Sequence, residues 1–265
     1  MTRAAFVLYF PAYKNHIFVM KTDSIAIPIA IIVAAGLIAG AIFFNGAKQQ
    51  VNTPTGQNTV QTAKNAALRK VDSNDHIQGN PNAPIMLVEY SDFECPYCKI
   101  YDETLEKIIA EYGPSGKVAW VYRHLPIAQL HPNAPKIAEA SECVTEQGGD
   151  FWKFSHTIFS SRQIKEFTDM SKLADYAAGA GATNKIAFQA CLDGGKYTKK
   201  VTDSINEFIA VTGGKVGTPH TFVVVGDQSY PIEGAQPYDV VKGIIANLIT
   251  QMDGGTVKPA ATPAQ

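Results

Sequence analysis

The chain has 265 residues, 46% of them hydrophobic and 18% charged, enough for one large domain or two small ones around a sizeable core. Lys+Arg 23 against Asp+Glu 24 leaves a net charge of -1, and no basic run is interleaved with aromatics, so the chain lacks the electrostatic footprint of a nucleic-acid binder. Wholesale disorder, collagen and solenoid architectures do not fit this composition.

In chain order, Ile25 to Phe44 comes first as an uncharged apolar run of 20 residues, with Pro28 as its only breaker. As a helix it spans a hydrocarbon core of about 30 Å. It is longer than the apolar core of a secretory signal, and its one small-residue cleavage candidate, Ala39-Gly40-Ala41, lies inside the run. The reading is an uncleaved membrane anchor at 25–44, with a cleaved signal as the alternative. Arg3, Lys14 and Lys21 precede the run, and only Lys48 follows it before Lys64, which puts residues 1–24 in the cytoplasm and the rest outside. Met20-Lys21 would itself serve as a start. Residues 45–70, rich in Gln, Asn, Thr and Gly, read as a solvated stalk, and 254–265 as a similar tail. The folded domain is expected at 71–253.

Within it, Ile85–Tyr90 reads as a buried strand, and apolar residues at helical spacing follow from Cys95 to Glu111. Gly113-Pro114 stops that helix, and Lys117–His124 reads as a second strand in a parallel crossover. From about 130 to 212 only helical periodicity appears. The spacing predicts helices at Ala134–Glu146, Phe151–Ser160, Met170–Ala178, Lys185–Leu192 and Tyr197–Val211. A hairpin follows, Thr221–Val225 with Ser229–Glu233, and then a helix at Tyr238–Met252. The order predicts an α/β thioredoxin-type fold carrying an inserted all-helical subdomain, preceded by one transmembrane helix.

The chemistry sits where the first strand turns into a helix, at Cys95-Pro96-Tyr97-Cys98. Proline suits the first helical position, which leaves Cys95 at the cap with unpaired N–H groups and the positive end of the helix dipole on its sulfur. Both favour the thiolate. Cys98 lies on the same helix face within reach of a disulfide. The leading cysteine is therefore expected to be exposed and nucleophilic, the trailing one more buried and resolving. A zinc site would want a second close Cys/His pair, and Cys143 and Cys191 stand alone. In an oxidising compartment those two most simply form a structural disulfide, with free buried thiols the alternative. No metal or cofactor is expected.

These motifs resemble the DsbA-like thiol:disulfide oxidoreductases of the thioredoxin superfamily. The resemblance runs from about His76 to Ile249 and rests on Gly79-Asn80-Pro81-Asn82-Ala83-Pro84 and on Glu89-Tyr90-Ser91-Asp92-Phe93-Glu94 leading into the cysteine pair. It continues through Arg123, His131-Pro132, Phe151-Trp152 and Gly217-Thr218-Pro219. It implies that Pro219 is a cis-proline facing the active site, with Thr218 offering its backbone to substrate. It further implies that Glu89 is a buried acid relaying a proton to or from Cys98; the residues alone leave a solvent-facing strand-end glutamate equally open. Tyr97 stands where the strongest oxidases of the family have a histidine, which leaves oxidising strength in question. Of the histidines, only His220, beside Pro219, is singled out. The expected protein is an extracytoplasmic oxidoreductase that passes its disulfide to reduced secreted proteins. A quinone-linked membrane oxidase of the DsbB or vitamin-K-epoxide-reductase type would recharge it. The alternatives are a reductase or isomerase, or a binding module for unfolded segments. A monomer is expected.

Overall fold

Residues 67–254 are described by the computed structural model. The expected anchor, nearly all of the stalk and the tail from 255 lie outside them. Among the described residues no helix is long and apolar enough to cross a membrane.

Five strands form one mixed sheet in the order β1-β3-β2-β4-β5. They are β1 (His76–Gly79), β2 (Ile85–Ser91), β3 (Val118–His124), β4 (His220–Val225) and β5 (Gln228–Glu233). β2 and β3 are parallel, as a crossover helix requires, and the other pairings are antiparallel. β2 is apolar on both faces because helices cover both. Strand alternation then sorts its side chains. Ile85 and Leu87 pack with Leu105, Ile108, Trp120 and Ile245 on one face, and Val88 and Tyr90 pack with Phe208 and Phe222 on the other. By the same alternation Glu89 points to the face of Leu87.

The crossover helix α1 (Pro96–Tyr112) and the last helix, α7 (Tyr238–Met252), cover that first face. Between β3 and β4 come α2 (Ala134–Glu146), α3 (Phe151–Ser160), α4 (Leu173–Gly179), α5 (Lys185–Asp193) and α6 (Thr198–Thr212). α2 to α5 build a second core around Ile137, Phe154, Ile158 and Phe188, continuous with Phe93 and Cys98 of the active-site turn. A disulfide joins Cys143 of α2 to Cys191 of α5, with 6.0 Å between the Cα atoms.

The structure departs from the sequence reading in three places. β1 is an added edge strand, and its HIQG sequence carries a single large apolar residue, too little for a strand pattern. The helix expected at Met170–Ala178 opens as a 3₁₀ turn, Met170–Lys172, capped by the Asp169 side chain, and only then becomes α4. The first crossover helix does not stop cleanly at Gly113 but tightens into a 3₁₀ turn, Gly113–Ser115, ended by Gly116 at φ 71°.

Candidate active site

The active-site turn follows from local chemistry at the end of β2. The Asp92 carboxylate accepts the Glu94 N–H at 2.8 Å, folding the chain back, and the Cys95 N–H donates to the Asp92 carbonyl at 3.1 Å. Pro96 occupies the first helical position and Cys95 the cap, with no side chain satisfying the free N–H groups in its place. The other Asp92 oxygen accepts from Ile127 N–H at 2.7 Å and pairs with His131 Nδ1 at 2.8 Å. Glu94 accepts from Asn133 and from Thr168 N–H. The turn is thereby pinned to the loop after β3 and to the loop after α3.

Both cysteine side chains are free thiols. Cys98 is fully buried, and its sulfur lies 3.4 Å from the Asp92 N–H. Cys95 is also buried, at 4% exposure, which corrects the expectation of an exposed nucleophile. The segment ahead of β4 closes over it, with Cys95 Sγ 3.5 Å from the Thr218 carbonyl. The Thr218–Pro219 bond is cis.

The environment splits the two thiols. A hydrogen bond from Cys98, together with Thr218 and the N–H groups of Tyr97 and Cys98, lowers the Cys95 pKa to about 6, against the cost of burial. Burial, and then the neighbouring Cys95 sulfur, push Cys98 far up. Glu89 lies beneath them at 1% exposure. Desolvation carries its carboxyl up to about 8. Trp120 Nε1 donates to Glu89 Oε2 at 2.9 Å, while Oε1 is buried without a partner. An anionic nucleophile, a proton-holding leaving thiol and a carboxyl titrating near neutrality therefore occupy one site.

Residues 71–247 match the family model described as Thioredoxin. The chain belongs to the thioredoxin family. Solved structures place it more narrowly. DsbA1 of Wolbachia pipientis is 25% identical with a TM-score of 0.59, covering 69% of this chain and 95% of that one. BdbD of Bacillus subtilis, at 21% identity and a TM-score of 0.58, covers 69% of this chain and 97% of that one and shares the fold. These likenesses make its fold DsbA-like. Among curated proteins, the Na(+)/H(+) antiporter NhaA 1 of Mycolicibacterium gilvum is 39% identical over 115 residues, 43% of this chain and 18% of that protein. The antiporter NhaA of Herminiimonas arsenicoxydans is 35% identical over 149 residues, 56% of this chain and 22% of its own. The chain spans about a fifth of the length of these curated relatives.

In this DsbA-like site, then, Cys95, Cys98, Glu89, Thr218 and Pro219 gather at one end of the sheet, and Cys143 and Cys191 lie apart in the helical insertion. His220 sits against Phe208 and Phe222, with burial lowering its pKa and Nε2 unpartnered. It packs on the opposite sheet face from Glu89. Arg123, quoted above only as a motif residue, bridges Asp75, the Tyr90 hydroxyl and Glu207, a structural tie. Sequence reasoning quoted Asp92 and Glu94 only within the motif and gave no role to them, to Trp120 or to Arg162. Asp92 and Glu94 flank the cysteines and were legible as turn formers. Nothing in the sequence marks Arg162, whose side chain reaches the Phe93 and Cys95 carbonyls from a loop 67 residues on.

Proposed function

We propose that this protein is a membrane-anchored, extracytoplasmic thiol:disulfide oxidoreductase that introduces disulfides into reduced secreted proteins. The observation that carries the reading is the split between the two thiols: Cys95 low at about 6 at a helix cap against Thr218, Cys98 raised over a carboxyl at about 8. In the oxidising direction a substrate thiolate attacks Cys95 Sγ, the Cys95–Cys98 bond breaks, and Cys98 leaves with the bonding electrons. Protonated Glu89 supplies the proton that the buried Cys98 sulfur needs. A second substrate thiolate then attacks the substrate sulfur of the mixed disulfide, forming the new bond and expelling Cys95 as its stable thiolate. Attack by Cys98 on the mixed disulfide is the reverse step, releasing the substrate unoxidised, so the resolving role expected for Cys98 belongs to escape rather than to product formation.

Substrate would lie along Thr218, beside which a groove of about 370 Å³ is lined by Phe208, Val216, Pro219 and Phe222. Tyr97, Ile164, Phe167 and Val216 are large apolar side chains left exposed on the segments around the cysteines, which suits unfolded chain. Recharging falls to a quinone-linked membrane oxidase. The 25–44 run supports the anchor, and protein retained in membranes after alkaline carbonate washing is the expected result. A soluble form beginning near Ile42 would instead mean a cleaved signal.

Equilibration with glutathione tests the direction of exchange. The expected potential lies in the oxidising half of the interval from about -120 mV, a strong oxidant, to about -270 mV, thioredoxin. A value at or below thioredoxin's would make the pair a reductant. Absence of insulin reduction in a Cys95-dependent assay would leave only a binding module.

A further inference from the structure

One charge buried at the site has no opposite partner. Arg162 lies in the loop between α3 and the 3₁₀ turn at Met170, where residues 163–167 are all exposed and Arg162 itself is 4% exposed. Its guanidinium turns inward. Nη2 donates to the carbonyls of Phe93 at 2.9 Å and Cys95 at 3.1 Å, and Nη1 to the Glu166 carbonyl at 3.2 Å. All three acceptors are neutral, and Nε is buried with no acceptor. Among the described residues Arg162 appears in no ion pair, although every other described arginine does. Neutral carbonyls repay only part of the hydration such a cation loses.

Burial pushes Arg162 below the usual guanidinium range, and the charges that oppose this are Glu94, Asp92, Cys95 and, last, Cys98. The Glu94 and Asp92 carboxylates already accept the loop N–H groups and the His131 contact described above. The third is different in kind. Cys95 carries a negative charge only when the disulfide is open.

We propose that Arg162 is a positioning residue for Cys95, the buried cation that balances its sulfur as an anion, so that opening the Cys95–Cys98 bond places a further anion beside a buried cation that makes no ion pair. This rests on reading that pair as the exchange centre. The balance is explicit: the disulfide takes two electrons and one proton, yielding a Cys95 thiolate and a Cys98 thiol. A substrate dithiol supplies both electrons and two protons, of which one goes to Cys98 and one to solvent. Arg162 acts on the reduced side alone, and whatever stabilises the reduced form makes the disulfide a stronger oxidant. Tyr97, between the cysteines, brings no charge, so the helical insertion provides the cation. Cys95 is also faced by Cys98 of α1, Glu89 of β2, Thr218 ahead of β4 and His131 after β3; His131, raised by Asp92 and then by Cys95, is the other cation here, but unlike Arg162 it titrates and is paired with Asp92.

The test compares R162Q and R162K with the wild type, following thiolate absorbance against pH and equilibrium with glutathione. R162Q should raise the Cys95 midpoint by about one pH unit and lower the equilibrium constant for oxidising glutathione about tenfold, equivalent to about 30 mV. R162K, which keeps the charge, should stay within about threefold of wild type. A folded R162Q with wild-type midpoint and potential overturns the proposal and leaves the wild-type potential, which tests the exchange reading, as it was. Should R162Q not fold, the Cys98→Ser protein decides by nitrogen-15 NMR of the arginine side chains. The Arg162 Nε–H resonance should move with pH at the Cys95 midpoint, and a resonance unmoved across that titration overturns the proposal.

Discussion

Glu89 is an acid that folding keeps protonated. Its folded value of about 8 stands above the ordinary 4.5, so the native state holds a proton that the unfolded chain releases between those two values. Stability therefore falls as pH rises from 4.5 to 8, by up to about 5 kcal/mol at about 1.4 kcal/mol per pH unit. E89Q should remove that slope in the oxidised protein, where the cysteines do not titrate. Denaturant midpoints at several pH values measure it, and parallel wild-type and variant curves would contradict it. At the same scale, iodoacetamide should modify Cys95 of the reduced native protein with a midpoint near pH 6 and spare Cys98, whose thiol is held up by burial and is fully enclosed. Mass mapping of the alkylated peptides checks this, and equal labelling would count against the split.

At the scale of elements, the Cys143–Cys191 bond ties α2 to α5 across a sequence separation of 48. On the chain-entropy account, closing a loop of that length restricts the unfolded state by roughly 4 kcal/mol. The C143S/C191S double variant should lose a comparable stability in denaturant titration while keeping exchange activity, because the bond lies away from the active-site turn. Sequence periodicity set α2, α3 and α7 to the residue, because each carries an apolar stripe between clear breaks. β1 escaped because an edge strand is made by its partner, β3, and not by its own side chains. The same division holds in the site. Cys95 and Cys98 announce themselves by spacing, whereas the burial of Glu89 depends on α1 lying across β2, and Arg162 reaches the turn only because the insertion folds back over it. Contacts that the tertiary fold alone creates have no local pattern to read.

For the whole molecule, one buried cluster links sheet to insertion. Glu142 of α2 pairs with His76 of β1 at 2.8 Å and with His124 of β3 at 2.9 Å, and Lys200 of α6 lies 2.7 Å from its other oxygen. The two histidines hold the Glu142 carboxyl far below its ordinary 4.5 despite burial, and desolvation lowers His76. In both cases the unfolded chain binds protons that the native state refuses. Stability is present above the unfolded values and is lost as pH falls through 6.5 and then 4.5, opposite in sign to Glu89. Acid should therefore loosen the insertion from the sheet first, seen as early hydrogen exchange in α2 and α6 near pH 5 while the β2–β4 pairing stays protected. Uniform exchange across both regions would exclude such a stepwise opening.

The chain's two tryptophans, Trp120 and Trp152, lie with ring centroids 4.5 Å apart, and Trp120 donates its indole N–H to Glu89. Tryptophan emission from this protein consequently originates at one spot, a few atoms from the Glu89 carboxyl. Each gain or loss of charge on that carboxyl alters the electric field across an emitting ring. An unlabelled sample in a cuvette thus carries its own optical gauge of that buried proton, without dye, tag or quenched sample.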